Sequence, residues 1–195
     1  CKRDIKTLSF KKTASTLSKD AKTLGREYYT SEKILDKEYE ALFYNDWICS
    51  GRSSELSKVG QYKTIKIGKE SIIILRNNNN KIVAYFNVCR HRGTRICNNI
   101  NGQFSKSIQC GYHGWTYDLN GNLIGAPHMN AVKNFKNINY PLHSVALKEW
   151  EGFIFINLAD KPTNFEIYFS PILNRFKQWN ISTLKTLETK KYNVK

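Results

Sequence analysis

Four residues of this chain have the types and the spacing to hold a metal. Cys89 pairs with His91 and Cys110 with His113, in the pattern C-x-H, eighteen residues, C-x-x-H. Each short stretch brings one thiolate and one imidazole. Each also carries glycine where a tight loop needs it: Gly93 after the first pair, Gly111 and Gly114 around the second. Two sulfur and two nitrogen donors in matched pairs suit a [2Fe–2S] cluster with both thiolates on one iron and both imidazoles on the other. Backbone N–H groups in such loops can turn toward the sulfides and help to set the potential.

Other chemistries account for less of the pattern. Cys2His2 zinc sites use C-x(2–4)-C with H-x(3–5)-H, whereas here Cys and His alternate. Nucleophilic catalysis needs one thiol and one base and leaves the second pair without a task. His128 and His143 have no neighbouring ligand at metal spacing and read as structural or surface residues. Arg92 and Arg95 flank the first pair. They read either as solvated charge or as hydrogen-bonding or docking contacts near the cluster. Trp115 and Tyr117 follow the second pair and read as a cover that dries the site.

Cys89-Arg90-His91-Arg92-Gly93-Thr94 and Cys110-Gly111-Tyr112-His113-Gly114-Trp115-Thr116-Tyr117 resemble the α subunits of Rieske non-haem iron oxygenases, the aromatic-ring-hydroxylating type. The resemblance runs from about Tyr28 to the end of the chain. The Cys-Arg-His-Arg-Gly loop is most similar to members that act on quaternary ammonium compounds such as glycine betaine or choline. The resemblance implies a Rieske-type antiparallel β-sandwich whose two loops hold the cluster through Cys89, His91, Cys110 and His113. It implies electrons arriving one at a time from a flavin or ferredoxin reductase and passing to a mononuclear non-haem Fe(II) that activates O2. Such an iron sits on two His and one carboxylate with open positions. That set is not found in this sequence and is expected beyond Lys195, so no catalytic residue is expected here. The resemblance also implies that His113 hydrogen-bonds a carboxylate of a neighbouring subunit, in a homo-oligomer that is a trimer.

Two other Rieske types fit less of the chain. A stand-alone Rieske ferredoxin-like carrier leaves the helical segment before the β region, and the sequence after Pro162, with nothing to pack against. A respiratory-type Rieske protein carries an extra disulfide-forming Cys in each loop, where this chain has Thr94 and Tyr112.

The elements that must position the four residues follow from pattern. Residues 1–27 read as a polar arm. In residues 28–46, Thr30 or Ser31 can cap a helix with Glu32 in its first turn. Leu35, Tyr39, Leu42 and Phe43 lie on one face of it, which the resemblance packs on the catalytic part of the subunit. Residues 47–160 read as β structure. Strands are expected at Tyr62–Ile67, Ser71–Leu75 and Ile82–Val88, the last running straight into Cys89. Asn77–Asn80 and Asn101-Gly102 read as turns, and Asn120-Gly121 as a type I′ hairpin turn. Ala126–Met129 reads as a loop flanking the cluster. Val145–Trp150 and Phe153–Leu158 read as strand, turn, strand. After Pro162 a helix is expected to begin near Pro171, and 184–194 to form a strand entering the next domain. Residues 161–195 are thus expected to start a second, truncated domain. The expected class is mainly β with flanking helices, α+β overall.

The chain has 195 residues and a net charge of +15. The Lys are scattered among Asn and Ile, and no nucleic-acid motif appears, so an acidic redox partner is the better use of the charge. Cys1 and Cys49 are isolated and Cys97 lies eight residues after Cys89, which is no disulfide framework. A reducing cytoplasm is expected. There is no apolar run of membrane-spanning length, and no apolar stretch follows Lys2, Arg3 and Lys6 as a secretory signal requires. A chain that opens on Cys1 and ends on Val194-Lys195 reads as a fragment of a longer protein.

Overall fold

One strand, β3 (Glu70–Arg76), is buried on both faces and fixes the layering. Ile72 and Ile74 point into one core and Ile73 and Leu75 into another, all at 0% exposure. Alternate side chains point to opposite faces, so a strand covered on both sides reads as an unbroken apolar run. The computed structural model describes residues 22–190 together with 192 and 193. Most of the expected polar arm, residues 1–21, lies outside the described residues.

β3 pairs with β2 (Gln61–Ile67) and β4 (Ile82–Phe86), and β5 (Asn101–Gln103) extends β2, giving the order β4-β3-β2-β5. On one side lies the sheet of β6 (Ser107–Gln109), β7 (Thr116–Asp118) and β8 (Leu123–Gly125), which shares a core with Ile73, Leu75 and Tyr85. On the other lies β1 (Ile48–Arg52), β10 (Phe153–Asn157) and β9 (Ala146–Trp150), sharing a core with Ile72, Ile74 and Ala84. Every ladder is antiparallel. The mainly β sandwich expected from the sequence is what forms, with the four-stranded sheet in the middle.

The ligand loops leave this sandwich at matching ends. One follows β4 and the other joins β6 to β7. The opposite ends are tied by Asn77 Nδ2 donating to Asn120 Oδ1 at 2.9 Å. Asn77 also caps its own turn, its Oδ1 accepting from the N–H groups of Asn79 and Lys81.

Several local expectations are corrected. Asn101-Gly102 is not a turn but part of β5, held to β2 by pairing with Tyr62 and Lys63 and by the Tyr62–Phe104 ring stack at 4.4 Å. The hairpin at Asn120-Gly121 is not type I′, which needs φ > 0 at two residues. Only Gly121 is left-handed, at φ 82, and the loop is three residues long, closed by Gly121 N–H on Asp118 O and Asp118 N–H on Asn122 O. The type I′ signature falls instead at Glu151 (φ 48) and Gly152 (φ 75), between β9 and β10.

The helices differ too. The first helical segment is α1 (Glu27–Thr30), then α2 (Glu32–Glu38), then a wider π turn over Tyr39–Phe43. Ser31 stands at the cap position, but its side chain makes no capping bond. Leu35, Leu42 and Phe43 are exposed, so the apolar face is not covered by the described residues. Near the C-terminus, α3 (Phe165–Phe169) precedes Pro171 rather than starting there. Asn164 caps it by accepting from Ile167 N–H at 3.0 Å. A proline cannot continue a helix and commonly stands just past its end. Residues 184–190 form no strand. They leave from a segment held by Arg52, whose guanidinium lies 4.3 Å from the Phe153 ring centre and donates to the carbonyls of Glu151, Ile181 and Leu184. No helix among the described residues is long and apolar enough to cross a membrane.

Candidate metal centre

Both cysteine–histidine pairs sit on the same backbone loop. In the first, Cys89 N–H donates to Thr94 O (2.8 Å) and Gly93 N–H to Cys89 O (3.0 Å). In the second, Cys110 N–H donates to Trp115 O (2.8 Å) and Gly114 N–H to Cys110 O (3.0 Å). The fourth residue after each cysteine is a glycine, at φ 70 and φ 71. A side chain there would strain the turn. Gly111 has no such role; its φ lies outside the left-handed region. The two sequence spacings differ only because His91 is second after its cysteine and His113 third after its own.

The sulfurs are buried, Cys89 and Cys110 each at 2% exposure. Tyr117, wholly buried, has its hydroxyl 3.4 Å from Cys89 Sγ. That hydroxyl oxygen accepts from Arg90 N–H at 3.1 Å, which leaves its own proton free for the sulfur. Burial pushes the Cys89 thiol up, against the lowering effect of bonds from the Tyr117 hydroxyl and His91 N–H; the adjacent Cys110 raises it further. Burial, then Cys89 itself, pushes the Tyr117 phenol up. Two buried thiols side by side ionise only if a cation compensates them, and a bound metal does so.

The imidazoles face the same place. Their ring centres are 4.8 Å apart at 70°. His91 stacks on Trp115 at 4.9 Å and 10°, and Tyr112 lies 3.7 Å from His113. Phe135 and Tyr140 close the far side of Trp115. His91 Nδ1 is buried with no hydrogen-bond partner. An unpaired buried nitrogen is costly, and coordination to a metal would satisfy it. Burial, then His113 and Arg92, push the His91 imidazole down, favouring the neutral form that binds metals. Trp115 Nε1 is likewise buried without a partner. By donor type, burial and the orphaned nitrogen, the four residues fit a cluster that asks two protein ligands of each iron. Among the described residues no group of three or more His, Cys, Asp or Glu is placed to hold a single ion.

The remaining candidates lie around this centre. His143 rests against the Arg90 guanidinium, with Nη1 3.0 Å from Nδ1 and 2.5 Å from Nε2. His128 is exposed, in a left-handed conformation (φ 65). Neither joins the four. Arg92 and Arg95 are exposed beside the first loop. Pro127, in the flanking loop, abuts Gly114.

One positioning residue escaped the sequence reading. Asn87 is buried and ties the two ends of the first loop together. Its Oδ1 accepts from the N–H groups of Ile96 (3.0 Å) and Cys97 (2.8 Å), and its Nδ2 donates to Cys97 O (2.7 Å) and Ser71 Oγ (3.1 Å). The available signal was faint: a polar residue where an alternating strand should continue.

Residues 46–136 match the family described as the Rieske [2Fe-2S] domain. The chain is 34% identical over 156 residues to the carnitine monooxygenase oxygenase subunit of Acinetobacter baumannii, covering 80% of this chain and 42% of that protein. It is 30% identical over 164 residues to the glycine betaine monooxygenase oxygenase subunit of Pseudomonas aeruginosa, covering 84% and 38%. The fold matches a quaternary ammonium Rieske monooxygenase solved with its substrate γ-butyrobetaine, at a TM-score of 0.74 and 33% identity over 80% of this chain and 44% of that one. The chain therefore spans about two-fifths of the length of the relatives it matches. The repeated loop and the paired donors lie within the residues that match the Rieske [2Fe-2S] domain, and the chain is similar to part of the oxygenase subunits of Rieske monooxygenases.

Proposed function

We propose that this chain is the electron-accepting part of a Rieske oxygenase α subunit of the quaternary-ammonium type, and that Cys89, His91, Cys110 and His113 hold its [2Fe–2S] cluster. The observation that carries the proposal is the pair of equivalent loops, which point two thiols and two imidazoles at one place. Bound there, the cluster supplies one-electron uptake and release. Cys89 and Cys110 bind as thiolates, and His91 and His113 as neutral imidazoles. Tyr117 and His91 N–H hydrogen-bond the Cys89 sulfur. Trp115, Phe135 and Tyr140 keep water from one flank. His91 and His113 are less buried than the two cysteines, so the imidazole side is the more open.

The wider reading follows. A flavin or ferredoxin reductase supplies the electrons, and a mononuclear non-haem Fe(II) outside this chain receives them. The whole protein is a homo-oligomer, a trimer. A reducing cytoplasm suits Cys49, Cys89, Cys97 and Cys110, which form no disulfide. The test is to express the full reading frame and measure substrate-dependent O2 uptake with carnitine, γ-butyrobetaine and glycine betaine. The proposal expects three irons and two acid-labile sulfides per chain, and uptake with at least one of these substrates. Two irons per chain and no O2 uptake would favour a simple electron carrier.

The hydroxyl of Tyr117 gives a sharper check on the ligand assignment. A donor to a cluster thiolate favours the reduced, more negative state. Tyr117→Phe is therefore expected to lower the midpoint potential by roughly 20–65 mV, the equivalent of a net hydrogen bond of about 0.5–1.5 kcal/mol for a one-electron couple. Protein-film voltammetry reads this directly, and an unchanged or raised potential would contradict the assignment.

A further inference from the structure

Two buried ring nitrogens have no hydrogen-bond partner among the described residues, His91 Nδ1 and Trp115 Nε1, and both belong to one stack. The indole and the imidazole lie parallel, 4.9 Å apart at 10°. The torsion that turns an imidazole is broad, so the ring takes a fixed plane only where something holds it. A metal-binding histidine is ordinarily held by a hydrogen bond on its other nitrogen. Among the described residues no side-chain hydrogen bond orients His91. It has instead the indole flat against one face and His113 edge-on, at 4.8 Å and 70°. The indole is itself held by packing alone. It is 2% exposed, and Phe135 and Tyr140 meet it edge-on at 5.7 and 5.8 Å. Its backbone belongs to the other loop, where Trp115 O accepts from Cys110 N–H at 2.8 Å. One residue thus closes the second loop with its main chain and holds the first with its side chain.

We infer that Trp115 is a positioning residue for His91: its indole sets the plane of the imidazole, and with it the angle between the two histidines, before any metal arrives. The inference rests on the Rieske reading and gives Trp115 a role that drying the site does not require. Any apolar side chain excludes water, whereas only a flat one fixes the plane of the ring beside it. Paired rings are favoured beyond the area they bury, by an amount worth roughly twofold to tenfold in an equilibrium.

The test uses the full-length protein with its cluster assembled. Leucine at this position keeps the cover apolar but cannot stack, and phenylalanine restores a flat ring. Release of iron to a chelator should quicken at least about threefold in Trp115→Leu and stay within about twofold of wild type in Trp115→Phe. Electron paramagnetic resonance of the dithionite-reduced protein should show one set of lines in wild type and Trp115→Phe. In Trp115→Leu the lines should broaden or double, because the imidazole takes more than one orientation. Leu119→Ala is the control for lost packing. It removes a wholly buried side chain from the same core, next to Asn120 at the end away from the loops. It should leave the lines unchanged and the release rate within about twofold of wild type. Wild-type release and lines in Trp115→Leu would leave Trp115 a cover only and overturn the inference. Leucine-like behaviour in Trp115→Phe or in Leu119→Ala would overturn it as well. If Trp115→Leu does not fold, Trp115→Met takes its place, since methionine fills irregular gaps without a ring. All of these outcomes leave the Rieske reading standing. A wild-type protein without iron and sulfide would overturn both.

Discussion

Replacing Cys89 or Cys110 by serine should give a folded but colourless protein, its iron and acid-labile sulfide falling from two each per chain to below about a tenth of that. The thiolate is the ligand, and a serine hydroxyl does not ionise near neutral pH. Each cysteine is one of only two protein ligands to its iron in the proposed arrangement, so no neighbour can substitute. The other thiols serve as controls. Cys97 is buried, and burial pushes its thiol up to about 11 against a weaker opposing hydrogen bond with Tyr62. Cys49 is exposed on β1, in another sheet. Cys97→Ser and Cys49→Ser should keep the cluster. Visible absorbance, iron and sulfide assays and electron paramagnetic resonance of the reduced protein all report on this. Stoichiometric zinc without sulfide in the unmodified protein would sink the cluster assignment. So would full retention of iron in Cys110→Ser.

That expectation was available from sequence because the donors are local. A cysteine, a histidine and a glycine within five residues describe one loop, and two such loops describe the centre. The β3 run from Ile72 to Leu75 was legible for a similar reason, since a strand buried on both faces must be apolar throughout. What could not be read depends on residues brought together from afar. Arg52 holds the carbonyls of Ile181 and Leu184 across more than a hundred residues. Turn type depends on loop closure: Asn120-Gly121 has the right letters for type I′, yet Asp118 closes a three-residue loop there. Leu35, Tyr39, Leu42 and Phe43 have helical spacing, yet the described residues leave Leu35, Leu42 and Phe43 exposed, so pattern alone does not say what covers that face.

Asn87 is the positioning residue whose loss should cost most. Its amide makes four bonds in a site only 4% exposed, three of them to Ile96 and Cys97 just past the first ligand loop. Alanine would leave two N–H groups and one carbonyl buried without partners. Each such group costs about 1–3 kcal/mol, and relaxation and water recover part of it. Asn87→Ala is therefore expected to destabilise the protein by about 3 kcal/mol, measured by denaturant unfolding of the cluster-free protein so that metal binding does not mask it. Asn87→Asp keeps the acceptor but loses the Nδ2 donor and brings in a carboxylate that is costly to bury. It should restore no more than part of the stability at neutral pH and recover more as acid neutralises the new group. The first loop carries Cys89 and His91, so release of the cluster to a chelator should quicken in both variants, while the backbone bonds closing the second loop stay intact. A ΔΔG below about 1 kcal/mol for Asn87→Ala, with chelation no faster, would show that the loop is held by its own turn bonds and not by this amide.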